Sequence, residues 1–129
     1  MNEFIVWDGF KKKFVNDVTM YMSFNENGTI NSFNGFGDNK YFNYIGLKDI
    51  NNNKIYADSS IVKLEWKDYR YRNEIIREIG YFLFNKDLKC LEFKSVESKM
   101  KINFVMHIDY IQRVEIIDTI QENKLGLIK

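Results

Sequence analysis

Apolar and polar residues alternate over short stretches along most of this chain, with the period of two that half-buried β-strands show. In residues 18–24, every second side chain from Val18 to Phe24 is apolar, which predicts one continuous strand. Similar patterns predict strands at residues 4–7, 14–15, 29–33, 41–45, 54–56, 61–66, 75–84, 90–96 and 110–120. Residues 100–108 fit either a strand or a short helix, and residues 122–128 fit a tail with one helical turn.

Turn residues separate these segments and predict how they pair. Asp8-Gly9 and Asn27-Gly28 are hairpin turn pairs, and residues 85–87 close a hairpin between residues 75–84 and 90–96. Many short strands with frequent turns are typical of small barrels and sandwiches. We therefore predict a mainly β protein, a small barrel or sandwich of short antiparallel hairpins with at most one or two short helices. Residues 1–129 are expected to form a single domain.

Composition narrows the class of protein. The formal net charge is +1, which argues against a dedicated binder of duplex DNA. The chain has one cysteine, so an internal disulfide is impossible and a reducing, cytoplasmic location is expected. No apolar run reaches the roughly 20 residues of a membrane span, and no signal peptide is recognised at the N-terminus. Aromatic residues make up 16% of the chain, and together with open sheet edges they predict a homo-oligomer.

Three segments resemble a known family. Residues 44–63, with the sequence YIGLKDINNNKIYADSSIVK, are similar to the pattern YTGLKDKNGKEIYEGDIVK of the YopX family of small phage and prophage proteins. Residues 4–9, FIVWDG, and 114–123, VEIIDTIQEN, resemble the opening and closing segments of the same family. The resemblance implies a phage-encoded, β-rich protein with a small barrel-like core. The chain departs from the family pattern at residues 57–60, where Ala-Asp-Ser-Ser replaces Glu-Gly-Asp.

The best candidate contact site combines aromatic and basic residues in the segment that follows residue 65. Trp66, Tyr69 and Tyr71 can stack on a base, whereas Arg70 and Arg72 can grip a phosphate. Tyr and Arg are also enriched at protein-interface hot spots, so a protein partner fits the segment equally well. The alternative is an ordinary strand end, with the aromatic side chains packed inward and the arginines solvated.

Other motifs carry less information about chemistry. Lys11, Lys12 and Lys13 either add to a basic face or form a solvated hairpin tip. The Gly-containing residues 34–37 are interpreted as a flexible hairpin loop, because their spacing fits no phosphate-binding motif. His107 and Cys90 show no zinc-ligand spacing, so we expect no metal, no cofactor and a structural role for both. The carboxylates are scattered, and no motif selects a catalytic pair.

These observations lead to one functional hypothesis with two alternatives. We expect a phage-encoded, non-enzymatic binding module in the host bacterial cytoplasm. It would engage a host component as a counter-defence protein, by binding a host protein or by sequestering a nucleotide messenger. The first alternative is a nucleic-acid-binding accessory protein of phage replication or transcription. The second is a small enzyme acting on a nucleotide or sugar.

Overall fold

The computed structural model describes residues 3–67, 74–85, 87, 89–97 and 103–128, and these residues form a mainly β fold with a curled half-barrel sheet. The strands are β1 (Phe4–Asp8), β2 (Lys13–Val15), β3 (Met22–Phe24), β4 (Ile30–Phe33), β5 (Lys40–Lys48), β6 (Lys54–Tyr56), β7 (Ser60–Lys67), β8 (Ile75–Asn85), β9 (Cys90–Ser95), β10 (Asn103–Val105) and β11 (Ile111–Thr119). Three-residue 3-10 turns occur at Val18–Met20, Phe36–Asp38 and Ile108–Tyr110.

The strands form three antiparallel sheets. A small sheet has the order β2-β1-β5-β6, a large sheet has the order β10-β9-β8-β7-β11, and β3 and β4 form a separate hairpin. The predicted hairpin of β8 and β9 is confirmed, with Gly80 opposite Ser95 and Asn85 opposite Cys90. The predicted fold class, with its short antiparallel strands, is therefore correct.

The hydrophobic core lies where the small and large sheets meet. Its buried members come from both sheets and from the segments beside them: Ile45, Ile55, Ala57, Val62, Leu64, Phe82, Phe93, Met106 and Val114. The rings of Phe82 and Phe93 meet edge to face with centroids 5.2 Å apart, a favoured aromatic geometry. Because burying such a side chain stabilises a fold by about 1.5–3 kcal/mol, this shared core holds the two sheets together.

Polar contacts reinforce the junction between the two sheets. The buried Asp49 carboxylate accepts hydrogen bonds from the backbone N–H groups of Asn51, Asn53 and Ile116, at 3.0, 2.9 and 3.0 Å. The first two donors close the β5–β6 turn, and the third belongs to β11. Residues 57–60, where the chain departs from the YopX pattern, comprise the connection from β6 to β7 and the first residue of β7. There the Ser59 hydroxyl is buried and donates to Gln121 Oε1 at 2.7 Å.

The prediction for residues 18–24 was only partly correct. Met22–Phe24 is a strand, but Val18–Met20 forms a 3-10 turn, in which the backbone N–H of Thr19 donates to the Asp17 carboxylate. The Asp17 carboxylate offers the backbone a local hydrogen-bond partner, which competes with strand pairing. Met20 is consequently 84% exposed instead of facing a core.

Gly80 allows β8 and β9 to approach closely. A Cβ atom at this position would lie 2.1 Å from the carbonyl oxygen of Lys94 and 2.8 Å from the Phe93 ring. The nearest obstacle is backbone, which cannot rotate away as a side chain can. Glycine is therefore required here by the packing of the neighbouring strand.

We expect Gly80→Ala to lower the free energy of unfolding by about 1–3 kcal/mol or more, as other overpacked cores do. Gly35→Ala is the matched control, because its Cβ would meet nothing closer than a Phe33 ring carbon at 3.9 Å. Urea denaturation of both variants measures the difference. Equal stability of the two variants would contradict the close approach of β8 and β9.

Candidate functional site

Two loops at one end of the small sheet present aromatic side chains to solvent. Phe10 lies in the turn between β1 and β2, and Phe36 begins the 3-10 turn between β4 and β5. Their side chains are 84% and 81% exposed. We call these two residues, together with the exposed Lys11, Lys12 and Lys13, the aromatic tip. Exposure of this degree is unusual for phenylalanine, because an isolated ring is normally buried at least in part.

The buried carboxylate of Asp8 holds the first loop of the aromatic tip. Its Oδ1 accepts hydrogen bonds from the backbone N–H groups of Phe10 and Lys11, at 2.9 and 2.8 Å. Its Oδ2 accepts a hydrogen bond from the Tyr21 hydroxyl at 2.5 Å. The backbone N–H of Lys12 donates to the Asp8 carbonyl oxygen at 2.7 Å. The backbone N–H groups of Phe10, Lys11 and Lys12 therefore all have hydrogen-bond partners. These bonds fix the backbone of the turn that carries Phe10.

The second loop packs directly against the first. A Cβ atom on Gly9 would lie 2.2 Å from the carbonyl oxygen of Gly37, so only glycine permits this backbone contact. The Gly9 N–H also donates to Asn39 Oδ1 at 3.0 Å, and the Phe36 N–H donates to Asn34 Oδ1 at 3.1 Å. Residues 34–37 were predicted to form a flexible hairpin loop. That prediction was wrong in its hairpin geometry, because β4 and β5 lie in different sheets.

The loops of the aromatic tip carry more basic than acidic side chains, the acidic ones being the exposed Asp38 and the buried Asp8. Lys40 stands opposite Trp7 and Lys13 stands opposite Asp8 at the same end of the small sheet. With Lys11 and Lys12 they place four lysines around the two rings. Two protruding rings surrounded by lysines can enter an apolar pocket whose rim is acidic.

A second surface feature is a cleft of about 520 Å³ on the large sheet, and its walls carry both signs of charge. The strand register places Arg77 and Arg113 on either side of Glu65, and Arg77 Nε contacts Glu65 Oε1 at 3.1 Å. The lining contains three basic and four acidic side chains: Lys63, Arg77, Arg113, Glu65, Glu78, Glu97 and Glu115. An anionic ligand gains little here, because the glutamates offset the basic groups.

The structure describes one of the five predicted contact residues. Trp66 lies near the end of β7, is half-buried and packs against the core. Tyr69, Arg70, Tyr71 and Arg72 lie outside the described residues, so their contact role remains a prediction.

The other candidate residues from the sequence, His107 and Cys90, do not form part of a metal site among the described residues. The side chain of His107 is exposed, and its ring packs edge to face on Tyr110 at 5.1 Å. Cys90 is half-buried at the start of β9. Among the described residues, no three His, Cys, Asp or Glu side chains come close enough to hold a metal ion. Within those same residues, no helix has the length and apolar character needed to cross a membrane.

The fold is similar to that of a solved structure. The crystal structure of protein EF1440 from Enterococcus faecalis matches the chain with a TM-score of 0.54 and 17% sequence identity. The match covers 99% of this chain and 99% of the Enterococcus chain. No family model matches the sequence, and no curated protein matches it. At this identity the likeness concerns the fold alone, and it supports the β architecture described above.

The hydrogen bonds to Asp8 make the stability of the aromatic tip depend on pH. Donation from the Tyr21 hydroxyl and from the N–H groups of Lys11 and Phe10 outweighs burial and lowers the pKa of Asp8 below the ordinary value of 3.8. A folded-state pKa below the unfolded value means that ionised Asp8 stabilises the fold. This stabilisation is complete above about pH 4 and is lost as the pH falls through the folded-state pKa.

We therefore expect Tyr21→Phe to be less stable than the wild type by a constant amount between about pH 5 and 7, with the gap narrowing below about pH 4. Thermal unfolding across this pH range measures the gap. Tyr41→Phe is the control, because Tyr41 is exposed on β5 and does not contact Asp8. A gap for Tyr21→Phe that persists unchanged into acid would show that Asp8 is not the group responsible.

Proposed function

We propose that this protein is a non-catalytic binding module that docks onto a partner protein through the aromatic tip. One observation carries the proposal: Phe10 and Phe36 are 84% and 81% exposed on loops whose backbone is fixed by Asp8, Gly9 and Asn39. Exposed apolar side chains at such a site commonly mark an interaction surface. Because the loops are already ordered, little conformational entropy is lost when the tip binds.

The shape and charge of the aromatic tip indicate the chemistry of its partner. Two protruding rings require a concave apolar pocket on the other molecule, and buried aromatic anchors of this kind dominate protein interfaces. The neighbouring lysines favour an acidic rim around that pocket, which raises the rate of association.

The resemblance to the YopX family supports a phage-encoded module that engages a protein of the bacterial host in its cytoplasm. A counter-defence role is consistent with this arrangement, since blocking a host protein requires binding and no chemistry. A homo-oligomer and the contact role of residues 69–72 remain predictions from the sequence.

Single-stranded nucleic acid is the second candidate partner. Exposed rings beside lysines are the elements that such binders use for stacking and phosphate contact. This alternative predicts an affinity that falls steeply as salt is added, because counterions are released on binding.

The test places a photo-crosslinking analogue of phenylalanine, p-benzoylphenylalanine, at position 36 in cells of the bacterial host. We expect irradiation to give one discrete crosslinked host protein. Excess wild-type protein should suppress this product. The double variant Phe10→Ala/Phe36→Ala should compete about tenfold less well or worse, as loss of interface hot spots does.

The same probe at position 84 is the control, because Phe84 is also partly exposed but lies on the large sheet. It should not yield the same product. Both alanine changes fall on exposed side chains, so the variants should unfold within about 0.5 kcal/mol of the wild type. Equal competition by the double variant and the wild type would contradict docking through the aromatic tip, and a crosslink to nucleic acid would favour the second candidate.

A further inference from the structure

A separate cleft of about 410 Å³ lies on the small sheet, away from the residues of the aromatic tip. Its volume falls in the range of about 300–1,000 Å³ that is usual for small-molecule sites. The lining combines aromatic, aliphatic and polar side chains: Glu3, Phe4, Asn16, Val18, Phe24, Lys54 and Tyr56. This composition differs from that of the charged cleft, where seven of the nine lining side chains are ionisable.

Stacked rings form part of the wall of this cleft. Phe4 and Phe24 lie with their centroids 5.8 Å apart and their planes inclined by 28°. Phe24 ends β3 and is 41% exposed, so its ring remains accessible to a ligand. Tyr41 supports the pair from β5, meeting Phe4 edge to face at 5.7 Å. Two nearly parallel rings with an accessible face favour a planar aromatic ligand.

The charges in the lining cancel each other. Lys54 Nζ forms an ion pair with Glu3 and also lies 5.6 Å from the centroid of the Tyr44 ring. The cleft lining therefore carries one acidic and one basic side chain and no net charge. We expect the part of a ligand that enters it to be uncharged, because neither a phosphate nor an ammonium group gains from a lining without net charge.

Polar groups at the cleft can recognise heteroatoms on the edge of a ring. The Asn16 amide has both donor and acceptor atoms. The Tyr56 hydroxyl is protonated at neutral pH and can donate a hydrogen bond, and burial raises its pKa further. Stacking faces together with a donor and an acceptor are the features that nucleobase sites use.

We infer that this cleft binds an uncharged planar heteroaromatic ring of the nucleobase class, stacked on Phe24 and read at its edge by Asn16. The ring can belong to a free nucleoside or to a base in a single strand. This site is independent of the protein-docking role proposed for the aromatic tip.

The test is saturation-transfer NMR and titration with adenosine, guanosine, cytidine and uridine. We expect the wild type to bind at least one nucleoside, and Phe24→Ala to weaken that binding about 5- to 150-fold, the range expected for loss of one stacked base. Phe84→Ala is the matched control, because it removes a ring of similar exposure, 44% against 41% for Phe24, from the large sheet. It should bind the nucleoside as the wild type does.

Asn16→Ala provides a second variant, because Asn16 is exposed and its loss should leave the fold intact. It should reduce the discrimination among the four nucleosides.

A nucleoside and its 5′-monophosphate that bind equally well would identify a free ligand as the source of the ring. Tighter, salt-dependent binding of a short single-stranded oligonucleotide, still weakened by Phe24→Ala, would identify a strand.

No saturation transfer from any nucleoside or oligonucleotide would overturn the inference. Binding that Phe24→Ala leaves unchanged would overturn it as well. Neither result bears on the docking of a partner protein by the aromatic tip, which is tested by changes at Phe10 and Phe36, although the absence of oligonucleotide binding would also exclude single-stranded nucleic acid as a partner of that tip.

Discussion

Buried carboxylates that accept backbone N–H groups hold this structure together where its strands end. Asp49 closes the β5–β6 turn and reaches Ile116 on β11, so one side chain joins the two main sheets.

Asp118 fixes the residues after β11 in the same way, because its carboxylate accepts hydrogen bonds from the backbone N–H groups of Thr119, Lys124 and Leu125. Burial alone would raise the pKa of Asp118, but the backbone donors of Leu125, Thr119 and Lys124 outweigh it and lower that pKa. Asp8 serves the β1–β2 turn in the same way. A chain with short strands has many turns whose donors need partners, and these aspartates supply them.

The arrangement separates a fixed scaffold from the surfaces that it presents. The core shared by the two sheets and the Asp49 contacts fix the position of β5, and β5 in turn pairs with β1. The aromatic tip extends from the end of β1 and is locked to the loop before β5 through Gly9 and Asn39. Contact with another molecule would remove these exposed phenylalanine rings from water, which is favourable. This gain is the physical reason for proposing the tip as a docking surface, whereas the charged cleft on the large sheet can remain solvated.

Local patterns predicted the parts of the fold that depend on neighbouring residues. Alternation and turn residues located β1, β2, β4, β7 and the β8–β9 hairpin to within a few residues, because these patterns depend on residues close together in the sequence. The 3-10 turn at Val18–Met20 was missed, since an apolar alternation cannot reveal that the Asp17 side chain accepts a hydrogen bond from the backbone.

The aromatic tip was missed for a related reason. Gly9 was interpreted as half of a turn pair, but its close contact is with Gly37, far along the chain. Likewise, Phe10 and Phe36 cannot be distinguished from core residues until their burial is known.

The central claim is that Phe10 and Phe36 bind a partner protein. The structure of the complex with the host protein crosslinked at position 36 tests this claim most directly. The account predicts that both rings are buried in an apolar pocket of the partner, with the lysines of the tip facing an acidic rim. It also predicts that the backbone of residues 8–13 and 34–39 keeps the conformation described here, because the hydrogen bonds to Asp8, Asn34 and Asn39 already fix it. A complex in which both rings remain exposed, and the partner contacts the large sheet instead, would contradict the account.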